Sequence, residues 1–251
     1  MEIDYPATGQ EPQLAELWQV SFGDAPEFVE LFFESAFSPR RCRCVTERGR
    51  VTAALYWFDT EFEGQRLAYI YAVATHPDFQ NRGLCRALMA DTLKCLAGRG
   101  YDAALLMPQN EKLRQMYAKM GFRDCCTASA FSSTAGEPVP VRRVDDEEFA
   151  RLRRKFLPRD GVIQEGENVS YLARYASFYA GEDFLLAAVP EGGSLTGLEL
   201  LGNAKAAPGI LGALGYAQGS FRTPGTEIPA AMFRPLKPGG KAPGYFGLVF
   251  D

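Results

Sequence analysis

The sequence predicts an α/β fold: a mixed, largely antiparallel sheet flanked by helices, followed by a smaller α/β domain. Three observations carry this. Helical and strand periodicities alternate through the first half of the chain. Three successive strand patterns there are joined by tight turns, which makes a meander and not a series of βαβ units. The stretch Ser132 to Pro138, small, polar and ending in proline, reads as a linker, after which the patterns restart. The expected domains are residues 1–133 and 134–251.

Two helices come first. Leu14, Leu17 and Trp18 fall at helical spacing between Pro12 and Phe22, and Phe28, Leu31, Phe32 and Ala36 repeat the pattern between Ala25 and Phe37. Pro12 and Pro26 sit near the helix starts, where a missing N–H costs nothing. Strands are expected over Arg41–Glu47, Val51–Thr60 and Leu67–Ala74, with turns at Arg48–Arg50 and Glu61–Arg66. A helix from Leu84 to Ala97 should bury Leu84, Ala87, Leu88 and Cys95, and Gly98 and Gly100 should end it. A short strand, Tyr101–Pro108, leads to a helix over Glu111–Met120 with Asn110 as N-cap and Gly121 as exit, and Phe122 opens another strand.

Beyond the linker, Val139–Val144 reads as a strand and Asp145 with Glu148 as a capping box. The charges from Arg142 to Lys155 fit a solvated helix face or a docking surface. Asn203, the segment Pro208–Leu214 and Gly215–Tyr216 echo Asn110, its helix and Gly121–Phe122, which suggests a weak internal repeat aligning the strand Leu198–Leu201 with Leu105–Met107. Gly244–Asp251 looks like a final apolar strand.

Composition excludes several classes. A net charge of −4 gives no basic face for nucleic acid. No apolar run reaches the roughly 20 residues of a spanning helix. The opening MEIDYPATGQEP has neither a positive end nor an apolar middle, so a cytoplasmic protein is expected. The six cysteines form no CxxC pair and His76 is the one histidine, so no metal site is expected.

The chemistry concentrates in Val73 to Leu88, where a strand enters a loop centred on Gly83 and then a helix. Unpaired N–H groups at such a junction, aligned with the helix dipole, suit a diphosphate. A dinucleotide fold would need G-x-G-x-x-G within a βαβ unit, and a P-loop would need Gly-Lys-Ser/Thr; neither is present. The loop instead resembles the Q/R-x-x-G-x-G/A signature of the GNAT superfamily of N-acetyltransferases. Gln80, Gly83, Val73 and Pro77 carry the likeness, with Asn110, Tyr117 and Gly121–Phe122 following in that family's order over residues 10 to 130. Cys85 departs from the pattern, standing where the family has Gly or Ala.

The resemblance implies an acyl-CoA N-acyltransferase (GNAT) fold and a degenerate GNAT-like second half with no counterpart of the Gln80–Cys85 loop. It implies acetyl-CoA as co-substrate and direct, ternary-complex transfer to a primary amine on a small molecule or peptide. Coenzyme A would lie where the strands Leu67–Ala74 and Tyr101–Met107 splay. Backbone groups near Val73 and Thr75 would hold its pantetheine arm, and Asn110 would contact that arm farther along. The loop Gln80, Asn81, Arg82, Gly83, Leu84, Cys85 and Arg86 would hold its diphosphate. Tyr117 would be the general acid. The base stays open between Asp59, Glu61, Glu63 and the terminal carboxylate of Asp251; the three side chains equally fit solvated turn charges. Cys85 is open to a nucleophilic reading, and His76 is more plainly structural. The acceptor pocket would draw on the first two helices and the hairpin, which carry Phe28, Phe32, Phe33, Trp57 and Phe58, most of them expected in the core, with the second half as a cap. A non-enzymatic acyl-CoA-binding or regulatory protein is the alternative, and the oligomeric state, a homodimer included, is not fixed by the sequence.

Overall fold

The computed structural model describes residues 1–250. Its chain forms two compact units, Met1–Arg123 with Met232–Lys241, and Asp124–Ala231 with 242–250. In the first, Glu2–Asp4 (β1) and the helices Glu11–Phe22 (α1) and Pro26–Ser35 (α2) precede a meander of Cys42–Glu47 (β2), Arg50–Phe62 (β3) and Gln65–Thr75 (β4). Leu84–Gly98 (α3) then crosses to Ala103–Leu106 (β5), and Glu111–Ala118 (α4) leads to Arg123–Asp124 (β6). The second unit holds Thr127–Thr134 (β7), Arg142–Val144 (β8), Asp146–Phe156 (α5), Glu167–Leu172 (α6), Ser177–Ala180 (β9), Phe184–Glu191 (β10), Ser194–Gly202 (β11), Ala207–Leu214 (α7) and Gln218–Pro229 (β12). Met232–Pro235 (β13) returns to the first unit.

The sheets run β1-β2-β3-β4-β5-β13-β6 and β7-β12-β11-β10-β9-β8. β4 with β5 and β11 with β12 pair in parallel, while β1–β2, β2–β3, β3–β4 and β5–β13 in the first sheet and the other pairs of the second are antiparallel. This is the expected fold class. In the first sheet the period-two alternation sends Ala53, Leu55, Trp57, Ala68 and Ile70 to one face, where Leu84, Leu88, Met89, Leu93 and Leu96 of α3 cover them. Leu84 and Leu88 were expected on that helix face. Ala87 and Cys95 lie at its margin, and Met89, Leu93 and Leu96 take the centre. No helix among the described residues is long and apolar enough to cross a membrane.

Three expectations need correction. The stretch Ser132–Thr134 is not linker but the end of β7, paired in register with β12 (Phe131 opposite Phe221, Thr134 opposite Gln218). Its alternating small residues suit a half-exposed strand. The division therefore falls at 123/124 and not at 133/134, and the first sheet is completed from far along the chain. β13 runs antiparallel to β5, Met232 opposite Leu106 and Pro235 opposite Ala103. The buried strand β5 thus has partners on both edges, as its backbone polar groups require.

The internal repeat exists in a different register. β11, α7 and β12 repeat β4, α3 and β5, because both pairs are parallel and both helices are the crossover between them. The Asn-to-Gly spacing matched α7 to α4 only because both helices follow a strand and end in a left-handed glycine or its neighbour. The junction before α7 is short: Asn203 accepts from the Lys205 N–H at 3.0 Å, and α7 starts four residues later at Ala207.

Gly244–Asp251 was expected as a strand; it makes one parallel bridge, Gly161 with Tyr245. Backbone bonds to Thr127, Asp160 and Val162 hold its start, and side chains hold the rest. Gln164 accepts from the Leu248 N–H at 3.1 Å and donates to the Leu248 carbonyl at 2.6 Å. Tyr245 donates to Glu199 at 3.1 Å. Glu199 in turn binds Arg153 at 2.7 and 2.9 Å, and both charges are buried. A side chain at Gly247 would overlap the Glu199 carboxylate. Asp251 lies outside the described residues. Glu199→Ala, which strands Arg153 as a buried unpaired cation, is expected to cost about 3–5 kcal/mol in urea unfolding, and replacing both partners (Arg153→Met with Glu199→Leu) to recover most of that.

Candidate cofactor and catalytic site

The site begins with a flaw in a ladder. β4 pairs with β5 from Leu67 opposite Ala103 to Ile70 opposite Leu106, and there β5 ends. β4 runs on to Thr75, so its β5-facing edge from Tyr71 onward has no strand partner among the described residues. On its other edge the register with β3 slips: Ala54 opposes Ala74, while Tyr56 opposes Tyr71. The extra residue is taken up at Ala72, which adopts a left-handed φ of 46°. An alanine there is strained by about 1 kcal/mol or more, the usual signature of a bulge that re-aims a strand. Val73 and Thr75 sit on this unpaired, half-buried stretch.

Beyond it, His76 caps a short 3-10 turn by accepting from the Asp78 N–H at 3.2 Å, and its Nε2 lies 2.9 Å from Arg50. This buried histidine is a structural pin. The loop then turns twice through left-handed backbone, at Asn81 (φ 60°) and Gly83 (φ 78°). No side chain caps α3. Backbone bonding stops with the Gln80 N–H on the Pro77 carbonyl and resumes with the Ala87 N–H on the Gly83 carbonyl. Among the described residues, the N–H groups from Asn81 to Arg86 have no backbone acceptor. Left-handed turns feeding a helix N-terminus make a concave array of donors suited to an anion. The conformation explains Gly83: a Cβ there would meet nothing, yet its φ would be strained.

Side chains divide the loop further. Gln80 donates to the Thr75 carbonyl at 3.4 Å, closing the turn. Arg82 reaches away to Glu47 with bonds of 2.9 and 3.1 Å and stacks over Phe79. Arg86 is exposed. Cys85 is half-buried, and burial raises its thiol pKa. Burial therefore does not supply the lowered pKa that favours a nucleophilic cysteine.

α4 supplies the remaining pieces. Asn110 accepts from the Leu113 N–H at 3.0 Å and so spends its carbonyl as the N-cap, keeping its amide NH2. Tyr117, two turns on, packs edge-to-face on Phe122 at 6.0 Å and is 6% exposed. Burial, with Cys85 as its electrostatic neighbour, pushes its hydroxyl well above the ordinary tyrosine range. The α3 N-terminus and Tyr117 are therefore close together, and the hydroxyl stays protonated.

The three proposed carboxylate bases lie elsewhere. Asp59 accepts from Tyr101 and pairs with Arg66 at 3.1 Å, while Glu63 pairs with Lys241 at 2.8 Å. Glu61 opposes Arg66. All belong to the turn end of the β3–β4 hairpin. At about 3.3 Å per residue, Glu61 sits roughly 16 Å from the start of the unpaired stretch. Nearness in sequence to the cofactor strand was misleading because the strand has two ends.

Trp57 points to the α3 face and donates to Tyr101 at 3.0 Å. Its neighbours Tyr56 and Phe58 point the other way, into an aromatic cluster that includes Phe32 and Phe33 (Phe32–Tyr56 centroids 5.0 Å, Phe58–Tyr71 5.7 Å). Trp18 of α1 completes this wall at 4.8 Å from Phe32. Sequence reading missed Ala72, because a bulge leaves no mark in residue type. It also missed Tyr56 and Tyr71 as the wall beside that bulge.

This is the geometry of an acyl-group transferase domain. Residues 2–125 match the family profile described as an acetyltransferase (GNAT) domain, so this part of the chain is a domain of that family. Solved structures extend the likeness over most of the chain. A GCN5-related N-acetyltransferase from Kribbella flavida superposes with a TM-score of 0.69 at 17% identity, covering 92% of this chain and 70% of that one. One from Anabaena variabilis gives 0.70 at 13%, covering 94% and 73%. Eis1 from Mycobacterium abscessus gives 0.69 at 12%, covering 94% and 74%. At these identities the likeness is one of fold. A comparison with curated proteins gave no match.

The Asp59 cluster has a testable consequence. Burial first, and the Asp59 hydrogen bond second, push Tyr101 from near 10 up to about 12. The folded state thus holds that proton more tightly than the unfolded chain. The contribution is complete below about pH 10 and is lost as pH rises toward 12. The stability gap between the protein and Tyr101→Phe, from denaturant titrations across that window, is expected to narrow as pH rises.

Proposed function

We propose that the protein is an acetyl-CoA-dependent N-acetyltransferase that moves the acetyl group directly to a primary amine on a small molecule or peptide. The donor array from Asn81 to Arg86 beside the unpaired edge of β4 carries this reading. Those N–H groups take the coenzyme A diphosphate, as left-handed turns at a helix N-terminus suit an anion. The free edge at Val73 and Thr75 pairs with the amides of the pantetheine arm as a further strand would, and the Asn110 amide lies farther along the same route.

The chemistry needs an amine that has lost its proton, a donor to the tetrahedral oxyanion and a proton for the departing sulfur. As the amine nitrogen bonds to the acetyl carbon and the carbon–sulfur bond breaks, Tyr117 gives its hydroxyl proton to the sulfur. Tyr117 is protonated at neutral pH, so the proton is available when the thiolate forms. Cys85 is small enough to leave the backbone approach open. Trp18, Phe32 and Tyr56 are buried core, which leaves the half-buried Phe33 to meet an apolar body beside the acceptor amine.

Thiol release from acetyl-CoA, followed across a panel of amines, tests the reading. Tyr117→Phe is expected to lower turnover by roughly 10²–10⁴ with acetyl-CoA affinity unchanged; undiminished turnover removes Tyr117 from the mechanism. Gly83→Val should weaken acetyl-CoA binding by about tenfold, the equivalent of 1–2 kcal/mol of left-handed strain, in calorimetric titration. Tight acetyl-CoA binding with no thiol release on any amine would assign a binding role instead.

A further inference from the structure

The chain passes between its two units at 123/124, 231/232 and 241/242. Two adjacent cysteines stand just after the first passage. The Cys125 and Cys126 sulfurs are 3.2 Å apart, and Cys125 is partly exposed while Cys126 is buried. Each thiol reaches a carbonyl beside one of the other passages. Cys125 Sγ donates to Ala231 at 3.4 Å, and Cys126 Sγ to Pro243 at 3.5 Å. The backbone repeats the connection: the Cys125 and Cys126 N–H groups also point to the Ala231 carbonyl, at 3.2 and 3.4 Å, and the Ala230 N–H returns to Cys126 at 2.8 Å. One dithiol therefore supplies donors at the residues flanking both returns of the chain.

We propose that Cys125 and Cys126 form a reversible dithiol–disulfide modification site, oxidised by a low-molecular-weight disulfide. The Cys125 thiolate attacks one sulfur of that reagent, forming a mixed disulfide and expelling one thiolate. Cys126 then gives up its proton and attacks the Cys125 sulfur, closing the Cys125–Cys126 bond and expelling the second thiolate. Two protein thiols are oxidised and one reagent disulfide is reduced to two thiols. The order follows from access: Cys125 is partly exposed and meets the reagent first, while Cys126 is buried and reaches only the sulfur beside it.

Ring closure has two physical consequences. Consecutive Cα atoms are about 3.8 Å apart, closer than the roughly 4.4–6.8 Å that disulfides usually span, so the bond is readily reduced and suits a labile modification better than a structural staple. It also removes both S–H donors at once, from Ala231 and from Pro243. Oxidation at the first passage is thereby felt at the other two.

The test uses the full chain. The tryptic peptide Asp124–Arg142 contains Cys125 and Cys126 and no other cysteine. After incubation with oxidised glutathione and blocking with N-ethylmaleimide, mass spectrometry is expected to find it unalkylated and lighter by two hydrogens. Dithiothreitol before blocking should return it doubly alkylated. Double alkylation after oxidation, or a lasting glutathione adduct, would overturn the proposal. Cys126→Ser should stop at a glutathione adduct on Cys125, and a variant without adduct would refute the order of attack. Hydrogen exchange at the Cys125, Cys126 and Ala230 amides should quicken in the oxidised protein; unchanged protection would refute the link between the passages.

Discussion

The end of the parallel ladder at Ile70 and Leu106 is the constraint on which the rest of the first unit depends. A four-residue β5 pairs with only part of an eleven-residue β4. The excess of β4 needs other partners for its backbone, and the bulge at Ala72 turns it so that β3 supplies them on one edge alone. The opposite edge is left facing the gap. α3 can start beside that gap only because the loop turns through Asn81 and Gly83, and the same turn strips its first N–H groups of partners. An unpaired strand edge and an uncapped helix are both costly alone. Together they form one continuous polar surface, which a ligand with amides at one end and phosphates at the other would satisfy.

The second unit is informative because it keeps half of this arrangement. β11 pairs with β12 only from Leu195 to Gly197, and its ladder with β10 slips between Ala187 and Ala188, adding Leu198 to β11. Ladder end and bulge therefore recur at the matching place. The loop does not. Asn203 closes a short turn, Pro208 removes a donor from the start of α7, and Gly209 and Gly212 let the segment 136–139 press against the helix. Glu199, next to the bulge, is occupied by Arg153 and Tyr245. A position that opens onto a gap in the first unit is filled by a buried ion pair in the second. The strands of the two units share their shape, and the donor array stands beside them in the first unit alone.

Legibility in the sequence follows the range of the interaction. Gly83, Asn110 and Gly121 could be read because caps and left-handed turns select residue types locally, and the order of elements around them identified the fold. β13 could not be read, since Met232 pairs with Leu106 across more than a hundred residues and nothing local distinguishes it from the strand before it. The repeat was detectable but misaligned, because strand–Asn–helix–Gly is the same short-range pattern on either side of a parallel strand. Trp57 was expected among the core aromatics and lies there, but its side of the sheet could not be read, because an apolar run hides its alternation and only the partners on each face reveal it. Asp59, Glu61 and Glu63 show the same limit in a functional setting. Their chemistry suited the role, but the end of the strand that carries them did not.

Tyr117 is a core position to which the proposed function also gives a chemical role. Its ring lies in the apolar cluster formed by α3 and the sheet, and contributes there as phenylalanine would. The hydroxyl receives no shift from a side-chain hydrogen bond; burial and the nearby Cys85 thiol are what act on it. Seclusion of a polar group usually lowers stability by roughly 1–3 kcal/mol unless a partner is found. Here burial of the ring and the Cys85 neighbour also keep the proton bound far above neutral pH. A hydroxyl satisfied by a neighbouring carbonyl would be cheaper for the fold, yet it would surrender its direction to that neighbour. In the proposed function the same hydroxyl, fixed through its packed ring and not through such a bond, is the donor to a thiolate formed within reach.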